Sequence, residues 1–219
     1  REESAAPLLE AMAKADDLQR VFISNTLFKL PKSEATTKAF LETYAKIELS
    51  LTFPNAPSAK EALLNWAPMF YDASVVPVLI KEATEAKGEE ADINGLKEST
   101  LIAVMKVGTA SQWPEIEKLA ATKVTGPDNK PTTLAKSVEK QYKEAGDLIK
   151  ECNEDGACYL KKYLELGQKE GFGAVKAAFM VGVHGKEEMK MPIFEALPKM
   201  KNPDAASVGL QLLDHFSPK

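Results

Sequence analysis

Arginine is nearly absent: of the 28 basic residues only Arg1 and Arg20 carry a guanidinium. Nucleic-acid sites lean on arginine for bidentate contacts to bases and phosphates, so no RNA or DNA partner is expected. Histidine is as scarce, with His184 and His215 alone, and neither falls in a metalloprotease-type or Cys-His pattern that would activate water or a nucleophile. Cysteine is limited to Cys152 and Cys158. Long apolar runs are missing too. Leu101 to Met105 spans five residues against the ~20 of a membrane-spanning helix, so no membrane insertion is expected. With no Gly-rich phosphate loop, nucleophile elbow or Cys-x-x-Cys, no cofactor and no catalysis are expected. Neither sign of charge dominates: net charge is −4, and Lys186 to Lys219 holds five residues of each sign. That is the pattern of a solvated mixed surface, not of a steering patch.

What is present suits a folded core. Of 219 residues, 44% are hydrophobic and 27% charged, which is outside the profile of disorder or of a coiled coil. Residues 1–219 are read as one helical-repeat domain. Arg1 stands where a methionine would begin a chain, and a fragment or mature part of a longer protein is expected.

Periodicity is helical almost throughout. From Ser74, the run Ser-Val-Val-Pro-Val-Leu-Ile-Lys-Glu-Ala puts Val75, Val76, Leu79, Ile80 and Ala83 on one face, with Ser74 as N-cap and Pro77 in the first turn, where its missing N–H is not needed. Ser111 with Pro114, and more loosely the segment around Pro192, repeat that opening. Pro77 to Pro114 is 37 residues and Pro114 to Pro192 is 78, twice 39, so the chain repeats with one unit skipped. Walking the period outward gives a first helix Ala5–Lys14, then Asp16–Lys29 with Ser33–Glu48, Ser58–Ala67 with Val75–Lys87, and Ile93–Val107 with Gln112–Thr122. Thr132–Lys150 pairs with Asp155–Gly167, Phe172–His184 with Glu188–Met200, and Asp204–Phe216 ends the map. Such helix pairs joined by short Gly, Pro, Asn and Asp turns are the unit of an α-solenoid, whose repeats bury their faces only by stacking.

Three stretches carry a family resemblance: Ala174-Val175-Lys176-Ala177-Ala178-Phe179-Met180-Val181-Gly182, Pro192-Ile193-Phe194-Glu195-Ala196-Leu197-Pro198, and Asn202-Pro203-Asp204-Ala205-Ala206 leading into Leu210–Phe216. Together they resemble a HEAT repeat, in which a first helix of small residues packs on a second with an early proline and an Asn-Pro-Asp-type turn follows. Pro77 and Pro114 extend the likeness. The resemblance implies an all-α, right-handed α-solenoid of about five to six antiparallel helix pairs, with the second helices lining a concave surface for another protein.

Residues that would contact such a partner are Lys81 and Glu85, Glu115 and Lys118, and Lys161 and Glu165. The loop Lys123–Pro131 is the other candidate, because insertions in repeat proteins collect on one face. The last helix carries Val208, Leu212, Leu213 and Phe216 with no later partner, so end-to-end self-association is expected. Ile47, Leu49, Leu51 and Phe53 alternate with polar residues, which is read as an extended connection packing its apolar side on the array.

Cys152 and Cys158 are six apart, and on one unbroken helix they would be separated by ~9 Å, too far for a disulfide. Asp155 and Gly156 supply a turn between them. A disulfide, and with it a periplasmic or cell-envelope location, is expected; two reduced thiols in a cytoplasmic protein are the alternative. Met180 and His184, with Met189 and Met191 beyond the next turn, form a soft donor set suited to Cu(I), though methionines at helical spacing are commonly core filler. His215 beside Asp214 reads as a surface or capping residue. A non-enzymatic protein-binding or scaffolding solenoid is therefore the leading expectation. The alternatives are a lyase- or glycosylase-type enzyme, as some HEAT-like proteins are, and soft-metal binding through Met180 and His184; an acidic, arginine-poor chain weighs against a glycosylase.

Overall fold

The structure is a computed structural model that describes residues 5–30, 33–52, 58–126 and 130–216. Among the described residues the fold is all-α apart from one hairpin and an isolated bridge between Thr52 and Ser58. Its helices are α1 (Ala5–Lys14), α2 (Asp17–Leu27), α3 (Glu34–Lys46), α4 (Ala59–Trp66), α5 (Val75–Glu85), α6 (Glu90–Val107) and α7 (Trp113–Ala120). After strands β1 (Lys123–Thr125) and β2 (Pro131–Thr133) come α8 (Leu134–Ser137), α9 (Glu139–Cys152), α10 (Gly156–Leu166), α11 (Phe172–His184), α12 (Lys190–Ala196) and α13 (Pro203–His215). The helices expected from periodicity are present, except that the one expected over Thr132–Lys150 is divided.

Side-chain caps set several starts. Asp16 with Gln19, Ser33 with Thr36 and Ser58 with Glu61 form reciprocal capping boxes at α2, α3 and α4, each satisfying donors that the helix leaves unpaired. Asp155 and Asn202 cap α10 and α13. Ser74 and Ser111 do not cap: both α5 and α7 begin without a side-chain cap hydrogen bond. Ser74 instead donates its N–H to Asp72 Oδ1 at 2.9 Å, and Ser111 donates its own to Glu154. Pro77, Pro114 and Pro192 all fall in first turns, as expected.

Contacts between helices run in two series. One links α2, α4, α6, α11 and α13; the other links α3 to α5 to α7, and α10 to α12. Helices of one series pack on the other through α2 on α3, α5 on α6, α10 on α11 and α12 on α13. The centre is α11, which touches α6, α9, α10 and α13. Ten consecutive residues, Gly173–Gly182, are buried, as a helix apolar on every side must be. α11 reaches α6 directly although α9 lies between them in sequence. The hairpin and α8, which packs on α6, α7 and α9, are inserted at that point.

Three expectations are corrected. The segment Lys123–Pro131 is not a plain loop: Lys123 pairs with Thr133, Val124 with Thr132 and Thr125 with Pro131 in an antiparallel hairpin. Val124, Thr125, Thr132 and Thr133 favour extended backbone, and Pro131 sits where a two-stranded ladder tolerates a missing donor. Residues 127–129 lie outside the described residues. The helix expected from Thr132 is broken, since Thr133 caps α8 and Val138, at φ −121° and ψ 37°, separates it from α9. The apolar face of α13 is not left open. Val208, Leu212 and Phe216 are buried and Leu213 is packed against the core, because α13 turns that face onto α11. The large exposed apolar side chains at this end are Met191, Phe194 and Leu210.

The connection after α3 packs inward as expected: Ile47 is buried, and Leu49 and Leu51 are packed against the core. It is a turn, not an extended run, with Leu51 N–H donating to Glu48 O at 3.1 Å. Thr52 then bridges Ser58. Phe53 lies outside the described residues.

Candidate functional site

The six charged residues read as partner contacts are all exposed. Lys81 and Glu85 on α5 lie on a helix packed beside α7, which carries Glu115 and Lys118. Lys161 and Glu165 stand on α10, whose neighbours are α9, α11 and α12, and they face each other with Nζ and Oε1 3.9 Å apart. The structure thus joins four of the six on adjacent helices and sets two apart.

The soft donor set is divided. Met180 is fully buried in α11, Met189 is buried at 8% exposure, and Met191 points to solvent at 59%. His184 stacks on Tyr159, ring centroids 6.0 Å apart and planes within 12°, and its Nε2 approaches Glu154 Oε2 at 3.0 Å. That approach lacks hydrogen-bond alignment at Nε2, and it is an ion pair only when His184 is protonated. Burial lowers the His184 pKa, Glu154 partly restores it, and Lys176 lowers it further. Among the described residues no group of three or more His, Cys, Asp or Glu is placed to hold a metal ion. His215 packs on Tyr71 at 4.7 Å and meets Gly182 O with Nε2 at 3.2 Å.

The expected cysteine turn is present. Cys152 and Cys158 are bridged, with Cα atoms 5.3 Å apart, across the turn between α9 and α10. Asn153 at its apex has φ 51° and ψ −116°, a positive-φ backbone outside the left-handed helical well. Gly156 opens α10 where a Cβ would come 2.8 Å from His184 O, so only glycine lets α10 start against the end of α11. The turn delivers Glu154, whose Oε1 accepts from Ser111 N–H at 3.2 Å while Oε2 faces His184.

Behind this turn lies an unexpected feature. Lys176, in the middle of α11, is fully buried. Its Nζ donates to Met105 O at 2.8 Å and Gly108 O at 3.1 Å, carbonyls at the C-terminal end of α6, where no helical donor follows. The amine also lies 5.8 Å from the Trp113 ring centroid. Burial pushes its pKa down to about 7, against a smaller upward pull from Glu154. An amine with no solvent exposure and two occupied donors is a structural tie, not a nucleophile. A comparable tie joins α4 to α5: Lys60 Nζ reaches Glu82 Oε2 at 3.1 Å over the Tyr44 ring.

A groove of about 680 Å³ opens between α6, α11 and α13. Ile102 and Lys106 of α6, Phe172, Val175 and Phe179 of α11, and Val208 of α13 form its floor and walls. Lys106 is half-buried there, its Nζ 5.8 Å from the Phe179 centroid. Burial lowers its pKa and Asp204 raises it by less. Sequence reasoning passed over Lys106, Lys176 and Glu154. For Lys176 a signal existed, since it is the sole lysine in an otherwise apolar helix. Comparison with protein-family models, curated proteins and solved structures finds no match.

Proposed function

We propose that this chain is a non-enzymatic protein-binding scaffold, built as a HEAT-like α-solenoid and working outside the reducing cytosol, in the periplasm or cell envelope. The observation that carries the reading is the division of labour among charged groups. The deeply buried lysines, Lys60 and Lys176, are consumed in joining helices, while α5 and α7 present Lys81, Glu85, Glu115 and Lys118 to solvent side by side. Mixed, solvated charge on adjacent helices suits recognition of a protein face and its selectivity more than it suits chemistry. The bridged Cys152–Cys158 pair supports the oxidising compartment, where such bonds persist.

Site-specific photo-crosslinking in the native compartment tests this. Photoreactive residues at positions 81, 85, 115, 118, 161 and 165 are compared with controls at the exposed Gln19 and Asp214. The scaffold reading expects a discrete cross-linked partner from α5 and α7, lost on charge reversal of Lys81 with Lys118. Cross-linking no stronger than at the controls refutes it.

A further inference from the structure

We propose that the groove between α6, α11 and α13 binds an aliphatic monocarboxylate, with Lys106 taking the carboxylate and Phe179, Val175 and Ile102 the chain. The inference goes beyond the scaffold reading and is independent of it, since the groove lies apart from the exposed faces of α5 and α7.

The charge comes first. Lys106 Nζ is drawn into the groove over the face of Phe179, and no carboxylate lies within 4.0 Å of it among the described residues. Asp204 acts on it only at longer range. A half-buried ammonium that has given up part of its hydration without gaining an ion pair is complementary to an anion. The amine of Lys176, held against α6, makes the contrast: its donors are spent on Met105 O and Gly108 O.

The shape and the rim narrow the anion. A volume of about 680 Å³ falls within the ~300–1,000 Å³ of small-molecule sites, whereas a stable protein partner needs roughly 800 Å² of each surface. The walls beyond Lys106 are Ile102, Phe172, Val175 and Val208, an apolar track that rewards a hydrocarbon tail. Asp204, Glu170 and a second cation, Lys140, also border the groove; with two lysines against two carboxylates it carries no net positive charge, which favours a single negative charge over a dianion such as a phosphate monoester. A single negative charge at the end of an aliphatic chain meets all of these conditions.

The probes are decanoate and dodecanoate, carboxyl-labelled with carbon-13, titrated below their micelle concentrations and followed by NMR and calorimetry. Dodecanol and dodecyltrimethylammonium serve as neutral and cationic counterparts. The expected result is one-to-one binding that tightens by about fourfold per added methylene, and that is at least about tenfold weaker for the neutral and cationic probes. Lys106→Met is expected to reduce dodecanoate to the affinity of dodecanol, and Lys106→Arg to retain it. Ser207→Trp, at an exposed position on the groove wall, is expected to block both probes while leaving the circular dichroism spectrum unchanged. This second variant keeps the test decisive should Lys106→Met fail to fold. Equal dodecanoate affinity in wild type and Lys106→Met, binding that survives Ser207→Trp, or no one-to-one binding overturns the proposal and leaves the scaffold reading untouched.

Discussion

Replacing Lys176 by methionine removes an amine from the centre of the protein while keeping an unbranched side chain of similar length. In the folded chain that amine has its pKa pushed down to about 7 by burial; in the unfolded chain it titrates near ~10.4. Between these values the unfolded state holds the proton and the folded state does not, so stability rises with pH across the window from about 7 to about 10. Below about pH 7 both states are charged and the burial penalty is borne in full. About 3.4 units at ~1.4 kcal/mol each give a gain on the order of 5 kcal/mol from end to end. The neutral amine still donates two N–H groups, matching the two carbonyls of Met105 and Gly108. At high pH the variant therefore loses both bonds and leaves two buried acceptors unserved, at about 1–3 kcal/mol each.

The assay is urea unfolding of wild type and Lys176→Met, disulfide intact, at intervals from about pH 6 to about pH 9.5. Other groups that titrate there are common to both proteins and cancel in the difference; Lys106, also lowered by burial, is one. The exception is His184, whose pKa Lys176 lowers and whose effect is confined to the acid end of the range. The buried phenols of Tyr44, Tyr71 and Tyr159 have their pKa values raised, and they weaken folding only above about pH 10. The stability gap should open in favour of wild type as pH rises, with a slope approaching ~1.4 kcal/mol per pH unit. A gap that is constant with pH refutes the reasoning, because it means that water reaches the amine and holds its pKa near the ordinary value.

Reducing the Cys152–Cys158 bridge frees a loop with a sequence separation of six, for which loop-closure entropy gives a loss of about 2 kcal/mol; an unfolding midpoint indifferent to a dithiol reductant contradicts it. His184 should titrate by NMR with a midpoint below ~6.5, since burial lowers its pKa, and lower still in Glu154→Gln. Because its folded value is depressed, stability is lost as pH falls through it, and an upward shift in Glu154→Gln overturns the role given to that carboxylate. Two glycines should respond differently. A Cβ at Gly182 would enter the Tyr71 ring, so Gly182→Ala should cost about 1–3 kcal/mol in thermal unfolding. At Gly95, inside α6, the nearest atom is Glu61 Oε1 at 3.2 Å, on a carboxylate whose Oε2 is held by Ser58 N–H at 3.1 Å. A small shift of that carboxylate offsets part of the helix propensity, so Gly95→Ala should be neutral to stabilising, by up to ~1 kcal/mol. Equal effects at the two positions would sink the packing account.

The helices were legible because each signal for them is local. Val75, Val76, Leu79 and Ala83 are buried on one face of α5, and Pro77, Pro114 and Pro192 fix first turns whatever surrounds them. The cysteine turn was legible for the same reason: Asp155 and Gly156 break the helix within reach of both sulfurs. The caps at Ser74 and Ser111 were misread because an N-cap depends on backbone dihedrals, and Ser74 sits at φ −63° and ψ −17°, a helical conformation from which its hydroxyl caps nothing. Which helices touch is not a local property. The face of α13 holding Val208, Leu212 and Phe216 looks unpartnered in any linear walk and is buried only because the chain returns it to α11.

Lys106 and Lys176 show how far pattern reading carries. Both are single lysines in apolar runs, Leu-Ile-Ala-Val-Met-Lys-Val and Ala-Val-Lys-Ala-Ala-Phe, and a helical wheel assigns each to the outside. For Lys176 that fails because the stretch of α11 around it is buried, so the amine must find acceptors within the protein, and the free carbonyls ending α6 are in reach. For Lys106 the wheel is half right, since α6 is covered on one flank and open on the other. The same residue type becomes an unpaired cation in a groove at the last turn of α6 and a saturated internal tie midway along α11. What separates them is whether neighbouring helices leave a carbonyl within hydrogen-bond distance. That quantity is set by the packing of α11 on α6, which is why binding chemistry is to be sought at Lys106 and stability at Lys176.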